Sequence, residues 1–335
     1  MIKRIVNFLQ RENLHRLFLA LASLVLIGTI GIALFEPEIT WKNALWYSFV
    51  TITTVGYGDF SPQTTAGRTV GVIIMVFGIG LLGLFTATIA SIFVEKKLKE
   101  ERGMTSFDYD NHIILCEWND RARDIIHELR MDRRIDSTPI ILIADIENKP
   151  IDAEQFYFIQ GPVTEENLQR ANLKSANTVV ILGDDGVDAN ARDAKAVLVT
   201  LTVESINPSA YTIVELSSES NVQYCERAHA DEIIVGSEFS TKLISRAAID
   251  HGISKVLSEL LSSRRGNDLL KVPLPDNLAG KTFIDVFTEM KRSEQSIVLA
   301  VQKGGHGPVI SNPAVDMVLE ATDHLIVIKN REPAG

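Results

Sequence analysis

A chain of 335 residues is long enough for two or three compact units, each with its own core, so a single domain is not expected. Charge is uneven: residues 1–103 carry ten Lys/Arg against seven Asp/Glu, whereas residues 104–335 carry 23 against 36. The acidic second part excludes a nucleic-acid partner, which would need clustered Lys/Arg, and Cys116 and Cys225 alone supply neither a disulfide framework nor a metal cluster.

Residues 1–13 place Ile2, Ile5, Val6 and Leu9 at helical spacing, with Lys3, Arg4 and Arg11 elsewhere. An amphipathic helix lying on a membrane surface would read this way, and so would a frayed basic tail. The stretch from Leu17 to Phe35 has nineteen residues and no charge, enough to cross a hydrocarbon layer of roughly 30 Å. Ala20-Leu21-Ala22 resembles a signal cleavage site, but the apolar run continues too far beyond it for a signal peptide. A spanning helix over about 15–36 is expected. A second uncharged run, Thr69 to Val94, predicts another over about 67–95, ending at Glu95-Lys96-Lys97-Leu98-Lys99.

Positive residues gather before the first span and after the second, with only Lys42 and Arg68 between them. That bias places both termini in the cytoplasm and makes this a multi-pass protein of the inner membrane, in contact with lipid. No further span carries regularly spaced arginines, so no voltage sensor is built in.

Between the spans, Thr40 is suited to cap a short helix over 41–52, too short to cross, with Trp41, Trp46 and Tyr47 fit for an interface. Its negative C-terminal end points at Thr54-Val55-Gly56-Tyr57-Gly58 and favours a cation there. Irregular backbone survives at membrane depth only when buried in protein or lining a wet pathway, and the glycines free the backbone to turn successive carbonyls one way. This segment resembles the potassium-channel selectivity filter. The resemblance implies potassium ions held by the carbonyls of Thr54, Val55, Gly56, Tyr57 and Gly58, with the Thr54 hydroxyl completing the innermost ring. Since the filter takes four loops and each chain supplies one, it also implies a homotetramer. Gly78, Gly80 and Gly83 in the second span serve either close helix packing or, as the resemblance implies, a gating hinge.

After a linker over 96–106, short strands alternate with amphipathic helices, which predicts a doubly wound parallel sheet. The strands expected are His112 to Cys116, Pro139 to Ala144, Phe156 to Gln160, Thr178 to Leu182, Tyr211 to Glu215 and Glu232 to Val235; helices are expected over Arg121 to Arg130, Glu165 to Ala171 and Ala189 to Ser205. A dinucleotide loop would place glycines after the first strand, but Glu117-Trp118-Asn119-Asp120-Arg121-Ala122 stands there. Asp145, followed by Glu147, ends the second strand where an acid accepts from ribose hydroxyls, and Gly161-Pro162-Val163-Thr164 follows the third.

These segments together resemble the RCK domain, the regulator of conductance of potassium, over 107 to about 331, with the Rossmann-like lobe at 107–239. The whole chain is thus similar to ligand-gated prokaryotic potassium channels. By that resemblance, 240–265 is a pair of crossover helices that joins RCK domains as dimers in a gating ring, and 266–335 is a small α+β C-lobe. The C-lobe is read as strands over Lys271 to Leu274, Ile297 to Gln302 and His324 to Lys329 around one helix, Ile284 to Arg292.

Two ligand sets follow. An adenine nucleotide (NAD, ADP or ATP) would use Trp118, Asn119, Arg121, Asp145, Glu147, Gly161 and Val163, with Arg192 as a further phosphate contact. Calcium would use Asp184, Asp185, Asp188 and Glu215, although Leu182-Gly183 and Ser217 depart from the pattern of calcium-gated members. The competing reading for both sets is plain solvation of the sheet edge. Rings in the family use eight RCK domains and a tetramer supplies four, so either a soluble product begun at Met104 fills the ring or Met104 is an ordinary linker residue. The alternative function, a membrane-anchored NAD-dependent oxidoreductase, would need an acid/base group, but His112, His127, His229, His251 and His324 stand singly. The expectation is a channel and not an enzyme.

Overall fold

The computed structural model describes residues 14–262, 266–305 and 307–330. The surface helix expected over 1–13 and the end of the segment expected over 240–265 lie outside the described residues. The chain separates into two compact units, Met1–Glu101 and Arg102–Gly335.

The first unit is three helices, α1 (Leu14–Phe35), α2 (Trp41–Ile52) and α3 (Thr65–Glu101). α1 and α3 are each long and apolar enough to cross a membrane. Their common core is Leu24, Ile32, Ala44, Tyr47, Ile52 and Ile74. Contact is close because small residues stand at the crossing: a Cβ on Gly28 would lie 2.7 Å from the Ile74 side chain. Thr40 sits at the N-cap of α2 in extended backbone, but its side chain makes no capping bond, contrary to expectation. A buried carboxylate fastens the other ends instead, with Glu36 accepting from the Thr64 N–H at 2.9 Å and the Thr64 hydroxyl at 2.8 Å.

A second difference concerns the expected linker over 96–106. α3 continues through it to Glu101, because the charged residues alternate in sign at helical spacing. Lys99 meets Glu95 at 2.6 Å, Lys97 meets Glu101 at 3.8 Å and Lys96 meets Glu100 at 3.9 Å. Such exposed pairs add only about 0.2–0.5 kcal/mol each, yet they suit this helical extension.

In the second unit, β1 (His112–Cys116), β2 (Ile140–Ala144), β3 (Phe156–Gln160), β4 (Ala176–Ile181), β5 (Tyr211–Leu216) and β6 (Glu232–Val235) form one parallel sheet. Its spatial order is β3-β2-β1-β4-β5-β6, the doubly wound arrangement whose crevice opens between β1 and β4. Side chains alternate between the faces. Ile113 and Leu115 join Ile140, Leu142, Phe156 and Phe158 against α4 (Asp120–Met131), while Ile114 and Cys116 join Ile141, Ile143 and Val179 on the other face. That second face is closed by α5 (Glu165–Arg170), α6 (Ala189–Ile206) and α7 (Val222–Arg227). The central strands are apolar throughout because both faces are covered.

α8 (Gly236–Ile249) and α9 (Ile253–Leu261) follow, broken at Gly252, whose φ of 98° suits a residue without a β-carbon. The last lobe is an antiparallel sheet ordered β7 (Asn267–Pro273), β10 (His324–Asn330), β8 (Ile297–Gln302) and β9 (Val309–Ser311), with α10 (Phe283–Ser293) packed on it. β9 was not expected. It is three residues long and fully exposed, so it leaves no burial pattern in the sequence.

His112 at the start of β1 is fully buried, and its Nε2 meets the Ala171 carbonyl oxygen at 2.8 Å. Burial holds its pKa below the ordinary 6.5, against the pull of neighbouring carbonyls. The folded state therefore binds fewer protons than the unfolded state below that value, and stability falls as pH falls through about 6.5, by at most ~1.4 kcal/mol per pH unit. Melting of the purified chain between pH 7.5 and 5 should show this loss, and His112→Gln should flatten it; an unchanged slope in the variant removes His112 as the cause.

Candidate functional site

The end of α2 delivers the first candidate. After Ile52 the helix cannot continue, because the Val50 carbonyl receives the N–H groups of Val55 at 3.1 Å and Gly56 at 3.3 Å. Beyond it, φ is 61° at Thr54, 56° at Gly56 and 75° at Gly58, while Val55 and Tyr57 keep ordinary negative values. Alternating handedness residue by residue turns successive carbonyls toward one side, an arrangement that regular helix or strand does not give. A Cβ on Gly56 or Gly58 would meet nothing within 4 Å, so glycine is required there by conformation and not by space.

Two side chains brace the segment. Trp46 of α2 donates its ring N–H to Asp59 at 2.8 Å and stacks on Tyr57, with centroids 5.9 Å apart and planes 4° from parallel. Val55 and Tyr57 are 54% and 69% exposed in the single chain, unusual for such side chains at this depth. Of the three glycines of α3, Gly78 is packed: a Cβ there would sit 3.2 Å from the Ile52 Cα, whereas Gly80 and Gly83 face nothing within 4 Å. α3 is continuous through all three.

The second candidate is the crevice at the carboxyl ends of β1, β4 and β5. Glu117 follows β1 with φ 73°, the backbone that a glycine would otherwise take, and is buried. Its carboxylate meets Lys195 Nζ at 2.6 Å, and the same ammonium meets Asp184 at 2.8 Å. Arg121 Nη2 reaches Asp185 at 2.8 Å and its Nε reaches Glu215 at 2.8 Å. Arg192 joins Asp185 at 3.2 Å and donates to the Asp184 carbonyl at 3.0 Å.

Burial alone would lower the Arg121 pKa, but hydrogen bonds and charge from Asp185 and Glu215 outweigh it and hold the pKa above the usual value. Lys195 is held up in the same way by Asp184 and Glu117 against burial, and its hydrogen bond in turn holds Asp184 below the ordinary carboxylate range. Each of the three cations in the crevice is thus paired, set among four carboxylates that leave it one negative charge in excess.

The structure gathers Asn119, Arg121, Arg192, Asp184, Asp185 and Glu215 at this crevice. Asn119 caps α4 by accepting from Ala122 N at 2.9 Å and donates to the Gly183 carbonyl at 2.9 Å. One donor of that helix end is therefore already used. Trp118 is half-buried with the Arg123 guanidinium 5.6 Å from its ring centroid. Asp145 accepts from Gln160 Nε2 at 3.2 Å, and Gly161, at φ 122°, donates to the Ala144 carbonyl at 3.0 Å. Val163 packs on the adjacent core, and Glu147 is exposed on the loop after β2.

Three members of the calcium set share the crevice, but they are not arranged around a cation. Asp188 caps α6, accepting from Asn190 N at 3.0 Å and Ala191 N at 3.2 Å, and the other three carboxylates are tied to basic side chains or, for Glu215, also to the Gly183 N–H at 3.0 Å. Among the described residues, no group of three or more His, Cys, Asp or Glu is placed to hold a metal. Lys195, which sequence reasoning missed, carries a signal: it lies three residues after Arg192 on α6, so both point into the same crevice.

Three family profiles match successive segments of the chain. A profile described as "Ion channel" matches residues 19–95, and one for the calcium-activated potassium channel slowpoke-like RCK domain matches 108–214. A third, for Castor and Pollux, part of voltage-gated ion channel, matches 237–334. The calcium-gated potassium channel TvoK of Thermoplasma volcanium is 30% identical over 312 residues, spanning 90% of this chain and 88% of that protein. Potassium channel protein 1 of Methanocaldococcus jannaschii is 24% identical over 335 residues, 96% of each. In fold, the human SLO3 gating ring aligns with 65% of this chain and 44% of its own at TM-score 0.51 and 17% identity. With nearly its whole length aligned to a potassium channel, and the pore and RCK profiles following one another along it, the chain belongs to the family of potassium channels that carry an RCK domain.

Proposed function

We propose that four copies of this chain assemble in a lipid bilayer around an axis lined by Thr54, Val55, Gly56, Tyr57 and Gly58, whose carbonyls replace the water around potassium ions. The observation that carries this is the alternation of positive φ at Thr54, Gly56 and Gly58 at the end of a short helix. The exposure of Val55 and Tyr57 is consistent with surfaces that neighbouring chains cover. Both termini lie on the cytoplasmic side of the inner membrane, a reading supported by the positive residues flanking the two spans.

RCK domains pair through α8 and α9 into a gating ring, supported by the exposed apolar side chains Phe239, Ile244, Ile249, Val256 and Leu261. An intracellular ligand favours one ring shape and so opens or closes the pore. The sheet order, Asp145 and the Gly161 loop favour an adenine nucleotide, of which Asp145 would bind the ribose and Arg121 and Arg192 the phosphates once released from their carboxylates. Calcium is the second reading, carried by the calcium-gated relative and not by the carboxylates seen here. An oxidoreductase is not favoured, since the family is one of ion channels.

Flux of potassium and sodium through the reconstituted protein, with NAD, ADP and calcium supplied separately, is the direct test: potassium-selective flux changed by one of them is expected. Absence of potassium flux under every condition would sink the channel reading. Gly56→Ala or Gly58→Ala should abolish selective flux while leaving the chain folded, because each added Cβ meets an unfavourable φ but no neighbour.

For the hinge at Gly78, Gly80 and Gly83, the informative variant is Gly83→Ala, whose new Cβ touches nothing within 4 Å. Alanine straightens a helix by about 1 kcal/mol relative to glycine, so open probability in single-channel recording should fall about fivefold. Unchanged gating would remove Gly83 from the hinge.

A further inference from the structure

The residue that begins the second unit's contacts is Gly103, and its carbonyl is held twice. Gln160 at the end of β3 donates its main-chain N–H to it at 3.1 Å, and Arg170 of α5 donates Nη2 at 2.7 Å. Arg170 also reaches the Thr105 carbonyl at 3.3 Å, and its own carbonyl accepts from Phe107 N at 2.8 Å. Gly103 is buried at φ 63°, and a Cβ there would lie 2.9 Å from both the Gln160 Cβ and the Ile159 carbonyl carbon. A side chain here forces the end of β3 to shift and strains the backbone.

Both residues that hold Gly103 also hold the crevice. The Gln160 side chain donates to Asp145, and Arg170 Nη1 donates at 2.8 Å to Asn167, whose Nδ2 donates at 2.9 Å to the Pro162 carbonyl. Asn167 also sits against Gly161, where a Cβ would lie 2.8 Å from its Nδ2. Two short hydrogen-bonded routes therefore run from the start of the unit to Asp145 and to the Gly161–Val163 loop. A ligand hydroxyl donating to Asp145 competes with Gln160, and a base against the loop presses on Asn167.

We propose that Gly103, Gln160 and Arg170 form the joint through which an occupant of the crevice acts on the segment leading back to α3, with Gln160 and Arg170 as positioning residues that need not touch the ligand's phosphates. The inference rests on the reading of the crevice as a nucleotide site. It assigns to named hydrogen bonds the coupling that a ligand-gated channel requires.

The test uses the full chain reconstituted in liposomes, with ADP and NAD as probes, reading bound nucleotide by equilibrium dialysis and potassium flux with and without saturating nucleotide. Gly103→Ala and Arg170→Met are expected to bind within about threefold of wild type, yet to lose at least about fivefold of the flux ratio, the low end of ordinary allosteric coupling. Gln160→Leu, which keeps the main-chain bond to Gly103 but releases Asp145, should also lose ratio. A thermal melt checks folding, and if Gly103→Ala does not fold, Arg170→Met decides. Wild-type ratios in the folded variants overturn the proposal alone, as does a lost ratio that is restored by more nucleotide, since that is a binding defect. Wild-type protein that binds neither nucleotide, or binds without any change in flux, overturns the nucleotide reading and the joint with it.

Discussion

A carbonyl can stand in for water around a cation only if the chain turns it toward the ion, and an extended stretch of chain turns consecutive carbonyls to one side by alternating handedness. Everything in the first unit answers that constraint. Glycine at 56 and 58 makes the alternation affordable, while Thr54 adopts it without that relief at φ 61°. The short helix α2 exists to end where it does, its Val50 carbonyl taking two N–H groups that would otherwise be orphaned. Trp46 and Asp59 brace the outer end, and the Glu36–Thr64 contact binds the helices that carry the loop.

The second unit is organised around a different balance. Its crevice lies where a doubly wound sheet ordinarily receives a phosphate, yet Glu117 and Lys195 occupy that place and every cation nearby is matched to a carboxylate. The more exposed of these pairs, Arg121–Asp185 above all, are individually weak and exchange readily for a better partner, whereas Lys195–Glu117 is partly buried and harder to part. An anionic ligand entering the crevice must exchange ion pairs instead of filling an electropositive hole, so charge alone would give it modest affinity and the neutral base and sugar would supply much of the discrimination.

Much of this was legible in the sequence, for identifiable reasons. The spans, α2 and the six parallel strands were readable because each is a run of one kind of residue bounded by polar or glycine-rich breaks, and burial on both faces leaves β1 and β2 wholly apolar. Charged residues hid two things. The helical extension through Lys96–Glu101 looked like a linker because hydropathy fell while helical charge spacing persisted. The acidic residues after β4 looked like cation ligands because the fold decides their partners: Arg121 comes from α4, 64 residues from Asp185, and Arg192 and Lys195 turn back onto them from the start of α6. The irregular backbone over 54–58 was foreshadowed by its residue types, since the glycines at 56 and 58 take the positive φ that other residues resist. The clasp at Gly103 was invisible, because it is made largely of main-chain atoms that every residue possesses.

That clasp bears on any shortened product of the same gene. A polypeptide initiated at Met104 would retain every strand of the parallel sheet and the whole crevice, but it would lack the one carbonyl that Gln160 and Arg170 grip. Arg170 would keep the Thr105 carbonyl at 3.3 Å, whereas the Gln160 main-chain N–H would lose its acceptor.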